Sequence, residues 1–524
     1  MTIIFQWVGL LFSTLVALFL YRVARVRSKF YNRPKPPHSA VFGHWLLLLG
    51  QWVDYPWDSF FANILDGIQR KFDLPPIFFL DLWPIFPPIV CVSDPDVARK
   101  ITVEDRAPRW PSVFEPLAPA ASQRWIQTLS QNNWTKNHSI FGSSFTTSRF
   151  VRMIPAMAED LQALDQMLAQ CAKTGQIFKM ATVTKFSILE MTGRVLFGRQ
   201  LDTFSENSEW SALYEGAVGS ISAARNPFKR PFIMQKWRTR CEAFHKLIRN
   251  EVYACFRERD SHSCSKPSLL YSSFTAYQNN KLPQFPVNIG GNGQMTEEYV
   301  DDLVSSCAGI FLAAVSGSTS LSYCLMLLYQ YPDIAQRVRA EHDDIFSPDR
   351  DITLQLLKTN PERLNQLVLT LAVIKETLRL FSMGAILRQP NSEHIISPEG
   401  QMYPIRDHVV VLLHTAMHRR SDLFPEPDKF DPDRFLPDAR RKIPPDAWRP
   451  FEKGRGNCTG QELALIQLKL VLLLTVRQFD FELAYDPQST RGPDIYGGLA
   501  YVTMSGTGPT PAGGMPMRAV RRVD

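Results

Sequence analysis

Residues 450–464 read PFEKGRGNCTGQELA, and an apolar, helix-like run follows at once. The stretch sets Cys458 among Gly454, Gly456 and Gly460, with Lys453 and Arg455 beside them. Three chemistries compete for such a loop. A phosphate cradle needs GxxxxGK[ST], with the lysine after the last glycine, whereas Lys453 precedes the first. A nucleophilic Cys458 needs a histidine base and an orienting carboxylate, and the sequence does not place them in space. A thiolate metal ligand accounts for more of the residues. Glycines let backbone approach a flat cofactor and bend round a sulfur. Backbone N–H groups aimed at that sulfur tune its charge. A helix starting near Gly460 turns its positive end to the thiol and favours the thiolate.

Three further patterns precede the loop. KETLR places Glu376 and Arg379 three apart, on one helix face. FPEPDKFDPDRFLP contains Arg434, and WTKNH contains Trp134 and His138. Together these resemble the cytochrome P-450 family over roughly residues 33–524. FEKGRGNCTG is similar to that family's haem-binding loop, F-x-x-G-x-R-x-C-x-G, a reading that takes Arg455 for the motif's arginine. The resemblance implies a fold that is mainly α with a minor β component, a large helical domain around haem and a small β-rich subdomain. It implies haem b with Cys458 as axial thiolate, Phe451 beside the sulfur, Gly454 and Gly460 shaping the loop, and Arg455 at a propionate. It makes Glu376, Arg379 and Arg434 a bracing network. Trp134 and His138 (where the family has arginine) become propionate partners, as does Arg388.

The amino-terminal stretch IIFQWVGLLFSTLVALFLY, residues 3–21, is apolar and would span about 28 Å as a helix, enough for a hydrocarbon core. Arg22, Arg25, Arg27 and Lys29 follow, which places the rest of the chain in the cytosol by the positive-inside rule. With no charge before the run and no small-residue cleavage site, residues 1–29 read as a retained signal anchor. RPKPPHSAVFGH within 30–44 reads as a stiff linker holding that anchor away from a catalytic domain at 45–524. In the cytosol the sequons at Asn133, Asn137 and Asn457 stay unglycosylated. The family's microsomal members imply an endoplasmic reticulum membrane protein.

The composition is globular, with 45% hydrophobic and 21% charged residues and a net charge of +7 without a long basic block, which argues against nucleic acid. Eight scattered cysteines form neither a disulfide framework nor a zinc pattern. Helices are expected at 150–172, 239–257, 329–346, 361–380 and 460–478, and strands at 87–93, 407–413, 479–485 and 499–504. The firmest expectation is a helix capped by Thr296 and stopped before Pro332. It is apolar on nearly every side, and its many hydroxyls make a core helix a better reading than a second membrane span.

That helix departs from the family's A-G-x-[D/E]-T-[T/S], having GIFLAAVSGSTS with no acid. Counting back from Pro332 sets Ser316 at the catalytic hydroxyl; matching by appearance sets Thr319 there. The resemblance implies a monooxygenase that inserts one atom of O2 into a hydrophobic small molecule, with electrons from NADPH through a reductase. The substrate wall would draw on 108–121, 308–316 and 382–388. Lys453, Arg440, Arg441 and Lys442 form a candidate reductase-docking patch. The divergent loops and the GGMPMR ending are similar to fungal members of secondary metabolism. Two alternatives stand beside this: a reductase-independent haem-thiolate isomerase or dehydratase, and a non-enzymatic haem-binding sensor.

Overall fold

The structure, a computed structural model, describes residues 2–110, 117–122, 124–125, 139–142, 144–221, 230–258, 267–279, 281–282, 285, 295–384, 386–439, 442–505 and 508–522. The described chain forms two compact units. The first comprises Met1–Trp110, Gly384–Pro427 and Pro444–Asn457; the second comprises Pro111–Met383, Asp428–Ile443 and Cys458–Asp524.

The first unit is built on a four-stranded sheet in the order Ile77–Leu80, Ile89–Val92, Val409–Leu412 and Ile386–Arg388. The central pair is parallel, with Cys91 opposite Val411, and both flanking pairs are antiparallel. The sequences IFFL, IVCV and VVVL are buried at every position, so these strands are covered on both faces and need no polar alternation.

Helix Thr2–Ser28 leaves the same unit with its apolar side chains from Trp7 to Tyr21 largely exposed. Its Gln6–Ser28 portion is long and apolar enough to cross a membrane. Its basic end behaves differently. Arg27 is 8% exposed and pairs with the wholly buried Asp81, while its Nη2 donates to Val41 O (3.1 Å) and Trp83 O (3.0 Å). Phe30 is fully buried against the rings of His38 and His408. Arg33 donates to His408 Nε2 at 2.7 Å and lies over the Phe79 ring. Pro34 O accepts from Phe79 N, and Asp81 N donates to His44 Nδ1 at 2.7 Å. Residues 30–44 therefore do not hold the anchor away from the body, as expected of a linker. Proline stiffness serves here to lay the segment along the sheet, where Arg27 and Phe30 bury.

The second unit is organised around helix Glu297–Gln330, capped by the Thr296 side chain, which accepts from Tyr299 N. Its most apolar window is 67% buried, so it is a core helix, as its hydroxyls indicated. Those hydroxyls are satisfied inside the protein. Ser322 meets Thr184 at 2.9 Å and donates to Ser318 O, and Tyr323 donates to Ala500 O. Helices Met180–Phe197, Arg230–Glu258, Val368–Leu380 and Gln461–Thr475 pack around it. Met180–Phe197 was not foreseen. Expected helix 150–172 divides at Leu161 into Thr147–Asp160 and Gln162–Thr174. A three-stranded sheet (Phe178–Lys179, Pro516–Arg521, Phe479–Leu483) and the hairpin Val502–Ser505/Gly508–Pro511 complete the unit.

Removing one member of a buried ion pair costs about 3–5 kcal/mol. Arg27→Ala should therefore lower the melting temperature and speed tryptic cleavage after Lys29. Burial, followed by His38 for His44 and Arg33 for His408, lowers both histidines from 6.5 to about 4. The folded form thus favours neutral rings. Their contribution is full above pH 6.5 and is lost as pH falls toward 4, so the melting temperature should fall over that window.

Candidate functional site

In the second unit, Cys458 is exposed and stands two residues before Gly460, the N-cap of helix Gln461–Thr475. A Cβ at Gly460 would lie 3.9 Å from Cys458 Sγ, an ordinary contact, so space round the sulfur does not require this glycine. The helix packs on Glu297–Gln330. That long helix is buried on both sides of its middle, yet Ala313 and Ser316 are exposed and Ala314, Val315 and Gly317 partly so.

The two candidate hydroxyls separate here. Thr319 is 2% exposed and donates to Pro509 O at 2.9 Å, a bond that ties the helix to the carboxy-terminal hairpin. Ser316 Oγ donates back to Ala313 O at 2.8 Å and remains on the exposed turn.

The three residues that the resemblance assigned to a bracing network lie together. Glu376 and Arg379 are wholly buried and paired through Arg379 Nε (2.6 Å) and Nη2 (2.7 Å). Arg434 Nε lies 3.4 Å from Glu376 Oε1, which also accepts from Asp431 N at 2.9 Å. Arg379 Nη2 donates further to Lys429 O.

In the first unit, the loop that precedes the cysteine wraps a buried charge cluster. Gly454 has φ +79°, and a Cβ there would overlap Thr102 O, so only glycine fits. Glu452 accepts from Arg449 Nε (2.9 Å) and Nη2 (2.6 Å). Its other oxygen lies 3.7 Å from both Arg388 Nη2 and His414 Nε2. Burial alone would raise the Glu452 pKa; His414, Arg449 and Arg388 outweigh it and hold the carboxyl well below the usual range. Arg388 is 3% exposed, donates through Nη1 to Ala107 O, and has no hydrogen-bond partner for Nε or Nη2. Phe451 meets the Trp448 ring edge-on.

Counted from Cys458, the loop motif's arginine falls on position 456, where this chain has glycine, and Arg455 stands one residue early on the exposed side. The register that gave Arg455 that role is corrected. Space supplies the reason: a Cβ at 456 would lie 2.7 Å from Arg388 Nη1, and Gly456 O accepts from Arg109 Nη2 at 2.6 Å. Two guanidinium groups from elsewhere in the chain meet at this glycine. Arg109, Glu452, Arg449 and His414 escaped sequence reasoning, since their meeting is tertiary. Trp134, His138, Arg440 and Arg441 lie outside the described residues. Of the basic patch, Lys453 pairs with Asp446 at 3.0 Å and Lys442 donates to Pro437 O.

A family model described as Cytochrome P450 matches residues 36–500. The chain belongs to the cytochrome P450 family. Cytochrome P450 monooxygenase ptmG of Penicillium ochrochloron is 47% identical over 511 residues, 98% of this chain and 94% of that protein. Cytochrome P450 monooxygenase ptmJ of the same organism is 32% identical over 99% of this chain and 97% of its own. The haem domain of cytochrome P450DA, 19% identical, has the same fold, with a TM-score of 0.72 over 94% of this chain and 98% of that one. The protein is a P450 monooxygenase, whose family works with haem-thiolate iron, O2, a small-molecule substrate and a redox partner. The residues fit such a group. An exposed thiol at a helix start suits iron, and the unpartnered donors of buried Arg388 suit a carboxylate.

Glu452→Gln removes the buried partner of Arg449 and should destabilise the protein by about 3 kcal/mol at pH 7. Because the folded pKa is depressed, the stabilisation is full above about 4.5 and is lost as pH falls below it. Chemical denaturation of the two proteins should therefore converge under acid conditions.

Proposed function

We propose that Cys458 Sγ would ligate the iron of haem b and that the exposed turn Ala313–Gly317 is the face on which an apolar substrate reacts. The observation that carries this is that turn, open in the middle of an otherwise buried helix, which packs on the helix Cys458 precedes. Bound haem with a thiolate ligand would supply cleavage of dioxygen, so that substrate, O2, two electrons and two protons yield a hydroxylated or epoxidised product and water; each successive oxidation consumes the same set again. Arg388 and Arg109 would pair with its propionates. Ala313 and Val315 exclude water from the substrate, and Ser316 Oγ, free to rotate away from Ala313 O, passes protons in place of the missing acid. Thr319 is structural. Electrons come from an NADPH-dependent reductase on the cytosolic face of the endoplasmic reticulum, with residues 1–29 as a single-pass anchor. A role in fungal secondary metabolism is part of the same reading; the Penicillium relatives, both named monooxygenases, support its oxygen-inserting chemistry.

The reduced carbonyl complex should show the red-shifted Soret band of thiolate ligation and lose it in Cys458→Ala. A histidine-type band in the wild-type protein overturns the assignment. Ser316→Ala should keep the band but lower product formed per NADPH on the order of 10–100-fold. Thr319→Val should preserve that ratio and lose about 1–2 kcal/mol of stability, because Pro509 O is left unsatisfied.

A further inference from the structure

Residues 117–122 and 124–125 are fastened along one strip of the long helix. Arg124 Nη1 donates to the buried Asp302 carboxylate at 3.1 Å. Ser305 Oγ reaches Ala121 O at 3.4 Å. The Trp125 indole lies directly over Gly309, where a Cβ would overlap the ring edge. From the neighbouring helix Arg230–Glu258, His245 Nε2 donates to Ala120 O at 2.8 Å. Positions 302, 305 and 309 advance by three and four and so share one face, which continues through 313 and 316. Among the described residues this cover stops at Gly309 with Trp125, itself 6% exposed. One turn further, about 6 Å along the axis, Ala313 is exposed, and Ser316 after it.

The helix's two glycines point the same way. A glycine inside a helix costs about 1 kcal/mol relative to alanine. At Gly317 a Cβ would meet nothing within 4 Å, whereas at Gly309 it would displace a rigid ring. Gly309 is the seat of the indole. Because helical side chains lean toward the N-terminus, Ala313 and Ser316 lean to the side that Trp125 closes.

We infer that Trp125, seated on Gly309, is the end wall of the reaction face and the residue that sets how long an apolar substrate it accepts. This rests on the reading of the Ser316 turn as that face. The indole presents an apolar, shape-fixed surface with two rotatable side-chain bonds, so it limits length more sharply than a flexible side chain does. A substrate extending toward residue 309 meets the ring; one lying over 313–317 does not.

The test uses the haem-loaded full-length protein in detergent and a graded series of probes: imidazole, 4-phenylimidazole and 4-biphenylimidazole. Each binds ferric iron through nitrogen and shifts the Soret band, which gives its affinity. Trp125→Ala should raise the affinity for the biphenyl member relative to imidazole about tenfold. Gly309→Ala should change the same ratio while leaving imidazole within about twofold of wild type. Trp125→Phe, which keeps a smaller ring in the seat, should fall between wild type and alanine and serves if the alanine variant does not fold. Ratios unchanged in Trp125→Ala or Trp125→Phe, with a normal thiolate carbonyl band, overturn the inference. A wild-type protein without that band overturns instead the reading of Cys458 beneath it.

Discussion

Glu376 has no access to solvent, and the order of the larger unit follows from keeping it paired. A carboxylate taken out of water needs a counter-charge and hydrogen bonds on its remaining lone pairs. Arg379 supplies the first in a two-point pair from the same helix face, the geometry in which a guanidinium and a carboxylate bind most strongly. The rest comes from outside the helix: Asp431 N donates a hydrogen bond, and Arg434 adds a second positive charge with its Nε 3.4 Å away. Arg379 in turn binds Lys429 O. One buried acid therefore holds residues 429–434 against helix Val368–Leu380, and the segment 428–443 becomes part of this unit although its flanking sequence belongs to the other. The course of the chain toward Cys458 is set at that pair.

The long helix solves a different problem. Its hydroxyls would be poor core material if left unpaired, since each buried polar group without a partner costs about 1–3 kcal/mol. Thr319, Ser320 and Ser322 bond a hairpin carbonyl, the preceding turn and Thr184. The hydroxyl-rich sequence is consequently a packing device along most of its length. Ser316 is the departure. Its hydroxyl is held by Ala313 O alone on an exposed turn, so it can exchange that bond for one to a proton acceptor without unsatisfying the core.

This division explains what the sequence disclosed. Glu376 and Arg379 were legible because their spacing alone decides that they meet, and Pro432 and Arg434 follow in a short, proline-marked segment. The long helix was legible from its cap and its stop. Met180–Phe197 was not, because it is buried around nearly its whole circumference and offers no polar face to reveal its period. Residues 30–44 misled for a related reason. Prolines next to an anchor read as a spacer, yet Phe30 and Arg27 find Asp81 and His408 only through a fold that brings residues 50 to nearly 400 positions apart together. Trp125 and Gly309 are invisible singly, since the glycine has meaning only once the indole lies on it.

The loop at Cys458 shows how far a one-residue displacement reaches. With glycine at 456, the charge that the family's loop carries on its own arginine would, on the proposed reading, come from Arg388 and Arg109, which both approach that glycine. Arg388 is the more exposed to competition in the electrostatic sense. Glu452 already spends one oxygen on Arg449 and stands 3.7 Å from Arg388 with the other, too far for a hydrogen bond. Burial lowers the pKa of Arg388, and only Glu452 opposes it. A carboxylate bound at Arg388 Nε and Nη2 would complete a pairing that the protein leaves half made. On the proposed reading, that incomplete pairing is what a haem propionate would complete.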